Sequence, residues 1–534
     1  MKRLFPFLLF LFYFSLLLPW DRFLDPDAFY HAHLSALLWR FGPINAFPWL
    51  DLTTLGRTWT DHHYLFHLIE APFVAALGWA TGARVTAVVL SALFISIFAV
   101  CLRWLGIKKP WPWAVLLATT SPLIVRLLLA KATPLALIFF VLGLLAVWRR
   151  RPVLSFVVAA LAALSHGGGI YLLVASWILC FGNAVHRRIV GGESFRDATR
   201  HAPWRECIAV ISGIAFGLIL HPNFPDNISF LWTQIVTIGV STPFQHVILG
   251  QEWQPSEIGS FFSSFALWWI AAFVGIAGIF FAPKRPLDRN AARAITSFAL
   301  LVAAFVALTI KSRRNAEYFA PVIAIWVPLI WEIVDVRELW RFFCHSPVGA
   351  HGNAPASECE TQIRFDTGRA HYHAPLQQKF VHILLATLLS ILFLKGPITA
   401  YTTLHSPGYP DSSFVAAMAS VSERANSGDR VFHSDWDEFP VLWNIDDRLK
   451  YVAGLDPTFL YQASSTLSDA YRDLTWGATT PTKEQAWEFI NDKIGARFVF
   501  IAKSDHEQLL DFIKSDERYK PLIETEDAAM FEVW

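Results

Sequence analysis

The chain has 534 residues, 54% hydrophobic and 15% aromatic, with a formal net charge of +1 and a mean hydropathy of +0.41. Charged side chains make up 16%, against about 25% in soluble domains. These values exclude a nucleic-acid footprint and predict a polytopic α-helical membrane protein with a soluble part attached.

The first apolar stretch, Leu4 to Trp20, reaches the lower limit of about 17 residues for a bilayer crossing. Lys2 and Arg3 precede it, so the N-terminus is expected in the cytoplasm. Leu-Pro-Trp followed by Asp-Arg is a poor cleavage site, so the segment reads as retained. A first outer loop then covers residues 21–84 and opens on Asp25 and Asp27. Within it, Tyr64 to Trp79 carries His67 and Glu70 and reads as an interfacial or re-entrant helix, because the loop charges alternate correctly only if it does not cross.

Further spans follow near Val85–Ile107, Trp111–Val125 and Pro134–Val147, then on either side of His166-Gly167-Gly168-Gly169. The next run near Cys207–Leu220, Phe261–Ala282, Ala294–Ile310, Tyr318–Val334 and Phe380–Leu394. About eleven crossings place nearly all basic loops on one side, as the positive-inside rule requires. Arg126, Lys131, Arg313 and Arg314 break the rule by falling on the outer side. Ionised groups near lipid are costly without partners, so these four are functional candidates. Cys101, Cys180, Cys207, Cys344 and Cys359 fall in predicted membrane or cytoplasmic segments, and no disulfide framework or zinc spacing is read from them.

The division expected is a membrane domain over residues 1–400 and a soluble extracytoplasmic α/β domain over residues 401–534. In the tail, Arg430–His433, Leu449–Val452 and Ala496–Ala502 read as short buried strands. Thr482–Ile494 and Asp505–Lys514 have helical spacing between and after them.

The charges predicted at the outer face are Asp25, Asp27, Asp61, Arg126, Lys131, Glu252, Arg313 and Arg314. Cations there suit a phosphate on which charge develops. Carboxylates suit proton transfer or a metal ion. The plainer reading is a set of interfacial residues solvated by water and headgroups. Asp61-His62-His63 with His67 one turn on also has the residue types of a metal site, but a role for Asp61 and His63 in shaping an acceptor pocket fits better, since no Glu-x-x-His arrangement accompanies them.

Four segments carry a family resemblance. Asp27-Ala28-Phe29-Tyr30-His31 resembles the Asp-x-Tyr-Tyr-(His/Tyr) signature that opens the first outer loop of oligosaccharyltransferase catalytic subunits, members of the GT-C membrane glycosyltransferases. Gly250-Gln251-Glu252-Trp253-Gln254-Pro255 resembles their SVSE segment. Arg313-Arg314 followed by Tyr318 and Pro321 resembles their Arg-Arg-Phe segment with its Tyr-Ala-x-Pro continuation. His433-Ser434-Asp435-Trp436-Asp437-Glu438-Phe439 resembles their WWDYG motif loosely, with only Trp436 and Asp437 coinciding.

The resemblance implies a GT-C-like fold and transfer of a sugar from a polyprenyl-phosphate donor to a glycan, lipid or protein acceptor outside the cytoplasm. It implies that Asp27, with Asp25, acts as base or acceptor-orienting acid, and that Glu252 shares this work. It implies that Arg314, Arg313, Arg126 and Lys131 bind the donor phosphate and that Trp436 and Asp437 stand on the acceptor side. Asp27 and Glu252 would hold Mg2+ or Mn2+ if a metal is used. The second acidic motif of the family is replaced by Arg126-Leu-Leu-Leu-Ala-Lys131, which favours metal-independent handling of a monophosphate donor. The altered WWDYG segment leaves protein N-glycosylation as an alternative. A transporter or flippase for a lipid-linked sugar, or a non-catalytic membrane scaffold, are alternatives of other classes. The expected location is the inner membrane, multi-pass, with the tail periplasmic.

Overall fold

The computed structural model describes residues 4–241, 250–284, 289–339, 374–409, 411–477 and 481–534. Arg341, Cys344 and Cys359 lie outside them.

Every segment expected to cross is helical. The helices run α1 Phe5–Leu17, α2 Asp27–Phe41, α3 Tyr64–Leu77, α4 Trp79–Trp104, α5 Pro110–Ala118, α6 Ser121–Leu128, α7 Thr133–Trp148, α8 Pro152–Ser165 and α9 Gly169–Ile189. They continue with α10 Phe195–Arg200, α11 Trp204–Leu220, α12 Asp226–Trp232, α13 Ile258–Ser264, α14 Ala266–Phe281, α15 Arg289–Lys311, α16 Ala316–Trp331 and α17 Ala374–Leu404. A proline in the first turn starts each of α5, α6, α7 and α8, where its missing N–H costs nothing. His186, Arg187 and Arg188 close α9, matching the negative end of its dipole.

The number of crossings is not fixed by helix length. Four helices among the described residues are long and apolar enough by themselves, namely α4, α9, α15 and residues Ile383–Leu404 of α17. The pairs α5–α6 and α13–α14 are bent by 71° and 72° and bring the total to six if each is one span. The others are shorter; the 14 residues of α8 reach about 21 Å at 1.5 Å per residue, less than the hydrocarbon thickness of about 30 Å.

The bundle core is continuous through α1, α4 to α9 and α14 to α16, with Phe14, Phe94, Phe98, Phe140, Phe265 and Tyr318 buried. Helices α8 and α11 touch backbone to backbone. A Cβ on Gly213 would lie 2.3 Å from the Phe156 carbonyl oxygen and one on Gly217 2.4 Å from that of Ala160. Small residues four apart permit this approach, which supplies the dispersion that lipid-facing helices otherwise lack.

The tail is built on a five-stranded sheet with strands β1 Arg430–His433, β2 Lys450–Tyr451, β3 Ala496–Ala502, β4 Tyr519–Glu524 and β5 Ala528–Val533 in the order β2-β1-β3-β5-β4. Strands β2, β1 and β3 are parallel; β5 runs antiparallel to β3 and β4. The three strands expected from sequence are present. The β4–β5 hairpin was not expected, because β4 is an edge strand carrying Lys520 and Pro521 with mostly exposed or half-buried positions, a composition that blunts edges and hides the strand signal. The expected Thr482–Ile494 helix is Lys483–Trp487, opened by a Thr482–Gln485 capping box, and then a π turn over Glu488–Lys493.

The first outer loop and the tail share one core. Phe29, Tyr30, Phe47 and Trp59 from the loop are buried with Phe414, Phe439, Trp443 and Tyr451 from the tail. Trp443 is its centre, stacked on Phe439 at 5.7 Å and close to Phe47 and Trp49 at 5.3 and 5.0 Å. Aromatic burial on this scale fixes the tail over the mouth of the bundle.

Candidate active site

The charges that break the orientation rule are gathered on one rim of the bundle, at the junctions α6–α7, α8–α9 and α15–α16 and in the two outer loops. The Lys131 ammonium is 2.8 Å from Asp25 Oδ2 and 2.7 Å from Asp27 Oδ2. Asp25 Oδ1 also accepts from the Asp27 amide at 3.0 Å. This turn starts α2, and Asp27 sits in the first turn, where the helix dipole favours a carboxylate. Burial pushes the Asp25 carboxyl above its ordinary range; Lys131 opposes this and the Asp27 charge adds to it.

A second group adjoins the first. Arg126 donates from Nη1 to Glu252 Oε2 and from Nε to Glu317 Oε2, both at 2.7 Å. Arg314 Nη1 donates to Glu252 Oε1 at 3.0 Å, so each Glu252 oxygen faces one guanidinium. The loop is clamped to the end of α15: Ser312 Oγ donates to the Glu252 carbonyl at 3.0 Å and the Arg313 amide to that of Gln254 at 3.0 Å. The Arg314 guanidinium also lies over the Trp253 ring, 5.0 Å from its centroid. Burial works against ionisation of Glu252 but is outweighed by Arg314, Arg126 and Lys131, which hold its carboxyl well below the ordinary range. Lys131 is held charged in the same way, by Asp25 and Asp27 against burial.

Two partners were not assigned from sequence. Glu317 is 1% exposed and takes the second contact of Arg126; its signal was a carboxylate three residues beyond Arg314 in an apolar helix, which demands a cation. His166 ends α8, accepts from the Gly168 amide on Nδ1 at 2.7 Å and presents Nε2 to Arg314 Nη2 at 3.5 Å. A Cβ at Gly168 would stand 2.1 Å from the Tyr318 hydroxyl, so the glycine run brings His166 down onto the arginine.

Arg313 does not join this network. Its Nε donates to the Pro255 carbonyl at 3.2 Å from an exposed position, so it ties the loop, while Arg314 faces the charges. Asp61 and His63 lie behind the network, buried beside His31 and His67 at the corner between α2 and α3.

The tail closes over the rim. A Cβ at Gly408 would be 2.3 Å from the Phe23 carbonyl oxygen, and the Tyr409 amide donates to that oxygen at 3.3 Å. This places the Tyr409 hydroxyl 2.5 Å from Asp437 Oδ2, as donor. The Trp436 ring comes within 3.7 Å of where a Cβ on Gly250 would lie, two residues before Glu252. Trp436 thus flanks the Glu252 loop, and Asp437 is reached by the Tyr409 hydroxyl next to the start of the first loop.

The expected divalent-ion site at Asp27 and Glu252 does not fit this geometry. A Mg2+ or Mn2+ ion needs several carboxylate or water oxygens. Here Asp27 and Asp25 share the Lys131 ammonium, and both Glu252 oxygens are taken by guanidinium groups. Lys131 and Arg126 supply the positive charge that such an ion would bring.

No protein-family model matches the chain, and no curated protein matches it in sequence. Solved structures do. The archaeal oligosaccharyltransferase AglB from Archaeoglobus fulgidus, in complex with an inhibitory peptide and a dolichol-phosphate, superposes with a TM-score of 0.60 at 13% identity, over 97% of this chain and 72% of its own. ArnT from Cupriavidus metallidurans, bound to undecaprenyl phosphate, does so with a TM-score of 0.53 at 14% identity, over 98% of this chain and 97% of its own. Over nearly its whole length, therefore, the chain shares the fold of these two structures.

Proposed function

We propose that this chain transfers a sugar from a polyprenyl-phosphate donor to an acceptor outside the cytoplasm, with inversion at the anomeric carbon. The observation that carries the reading is the rim itself: Asp25, Asp27 and Glu252 held against Lys131, Arg126 and Arg314 beneath a closing tail. In the proposed reaction an acceptor O–H attacks the anomeric carbon as the bond from that carbon to the phosphate oxygen breaks. The acceptor proton passes to the Asp27 carboxylate. The electron pair leaves with the polyprenyl phosphate, whose growing charge is met by Arg314, Arg126 and Lys131. Fixed cations of this kind need no reorganisation at the moment of transfer.

Asp27, the more exposed of the two carboxylates on Lys131 at 37% against 21% for Asp25, is the stronger candidate for the base. Glu252 aligns the two guanidiniums, and His166 steadies Arg314. Trp436 and Asp437 stand on the acceptor side. This reading sets residues 1–400 in the membrane and the tail outside the cytoplasm. Likeness of fold to AglB and ArnT supports the lipid-phosphate donor, since both structures contain a polyprenyl phosphate. A protein acceptor is the second reading, supported by the AglB fold and the retained Trp436–Asp437 pair.

The test is mass spectrometry of glycolipids, surface glycans and proteins from cells with the wild-type chain or the Asp27→Ala variant at equal protein level. Loss of one glycosylated product is the expected result, and its class names the acceptor. Full product formation by the variant overturns the assignment.

A further inference from the structure

The imidazoles of His31, His63 and His67 meet at the corner between α2 and α3, and each offers a ring nitrogen within 4.8 Å of the other two. All three are buried, His67 completely. His67 is held by Nδ1, at 2.8 and 2.9 Å from the two oxygens of Asp61. A carboxylate on Nδ1–H fixes the tautomer in which Nε2 carries the lone pair. That Nε2 lies 2.7 Å from His31 Nδ1.

Asp61 is itself anchored. It accepts from the His63 amide at 3.1 Å, its own amide donates to Asn223 Oδ1 at 3.2 Å, and its carbonyl oxygen is 2.8 Å from His221 Nε2. His63 Nδ1 is buried without a hydrogen-bond partner among the described residues, a costly state for a ring nitrogen that nothing else satisfies.

We propose that His31, His63 and His67 bind one zinc-class divalent ion, with Asp61 orienting His67 from behind. Around an ion with bonds of about 2.0–2.1 Å, tetrahedral ligand nitrogens stand roughly 3.3 Å apart. The observed separations, from 2.7 Å to within 4.8 Å, bracket that figure. Three neutral nitrogens without a carboxylate oxygen select Zn2+, Co2+ or Ni2+ over Mg2+ or Mn2+. A fourth position stays open, as in sites that take water or substrate. The His63 ring is 5.0 Å from that of His166, which touches Arg314, so the ion sits behind the rim. It is separate from Asp27 and Glu252 and does not depend on the donor reading.

The experiment uses the full chain in detergent, freed of any polyhistidine tag. Elemental analysis after growth in zinc-supplemented medium is expected to give about one zinc per chain. Co2+ added to chelator-stripped protein is expected to give the visible absorption of a four-coordinate nitrogen site. His67→Ala and His63→Gln each lose more than 100-fold in affinity, and Asp61→Asn loses roughly 10- to 100-fold. Asp27→Asn keeps the full metal content. Wild-type protein with neither zinc nor a Co2+ spectrum overturns the proposal. So does retention of the metal in His63→Gln, or its loss in Asp27→Asn. If His67→Ala fails to fold, His63→Gln and the Co2+ titration of wild type still decide.

Discussion

Two acidic regions face each other across the mouth of the molecule and are neutralised in opposite ways. At the rim every carboxylate has a fixed cation: Asp25 and Asp27 share Lys131, and Glu252 and Glu317 share Arg126, with Arg314 added on Glu252. In the tail, Asp435, Asp437 and Glu438 have no lysine or arginine partner among the described residues. They are met by hydroxyls, an amide and two histidines: Tyr409 on Asp437 at 2.5 Å, Ser434 on Glu438, the Trp436 amide on Asp435 at 2.7 Å, His433 at 3.6 Å and His506 at 4.0 Å. Burial pushes the Asp435 and Asp437 carboxyls up, whereas the arginines hold Glu252 down. A region whose cations are fixed in place suits a phosphate that gains charge. A region of hydrogen-bonding carboxyls suits a neutral hydroxyl or amide acceptor. The difference argues for donor below and acceptor above.

Four experiments test this division, from the largest effect to the smallest. Asp27→Asn keeps the shape of the rim but removes the base; a drop in turnover of roughly 10²–10⁴ is expected, with unchanged thermal unfolding, and wild-type turnover would remove Asp27 from the chemistry. Arg126→Gln leaves Glu317 buried with one contact gone and weakens Glu252. It should lower stability by about 3–5 kcal/mol, read by thermal unfolding in detergent; a shift no larger than that of an exposed arginine variant would show the network to be loose.

The third concerns pH. Asp456 caps the following turn by accepting from the Thr458 amide at 2.8 Å, and burial raises its carboxyl from 3.8 to about 6. A group with a raised folded value contributes stability that is complete below the unfolded value and is lost as pH rises through the folded one. Stability at this position is therefore expected to fall between about pH 4 and pH 6. Asp456→Asn should be stabilising by about 3 kcal/mol at pH 8 and near neutral at pH 4. An equal effect at both values would place the ionisation elsewhere. The smallest effect is on the acceptor side: Asp437→Asn should raise the acceptor KM by about tenfold, a loss of one charge-assisted hydrogen bond, while donor binding stays unchanged. A change in donor binding instead would erase the division between the two regions.

Much of the rim was legible because membranes make charge expensive. Arg126, Lys131 and Arg314 stood out by violating the orientation rule, and their carboxylates followed from chain position after the first span and before Ile258. From sequence, Arg313 has the same phosphate role as Arg314, only second in rank: a one-residue step around a 3-10 turn decides which guanidinium faces the carboxylates and which only ties the loop. Glu317 signalled a buried carboxylate but not which cation meets it, and a histidine in a glycine turn such as His166 acquires meaning only from what lies across the bundle. The β4–β5 hairpin was hidden by the weak alternation of an edge strand.

Composition and charge order alone determined a helical chain with charges at its loop junctions and an α/β tail, since hydropathy and loop charge are local properties. Which carboxylate meets which cation, where Asp61 and His63 go, and that the first outer loop and the tail share the core around Trp443 were decided only by tertiary structure. Those contacts join residues up to hundreds of positions apart, and no local pattern encodes the packing that brings them together.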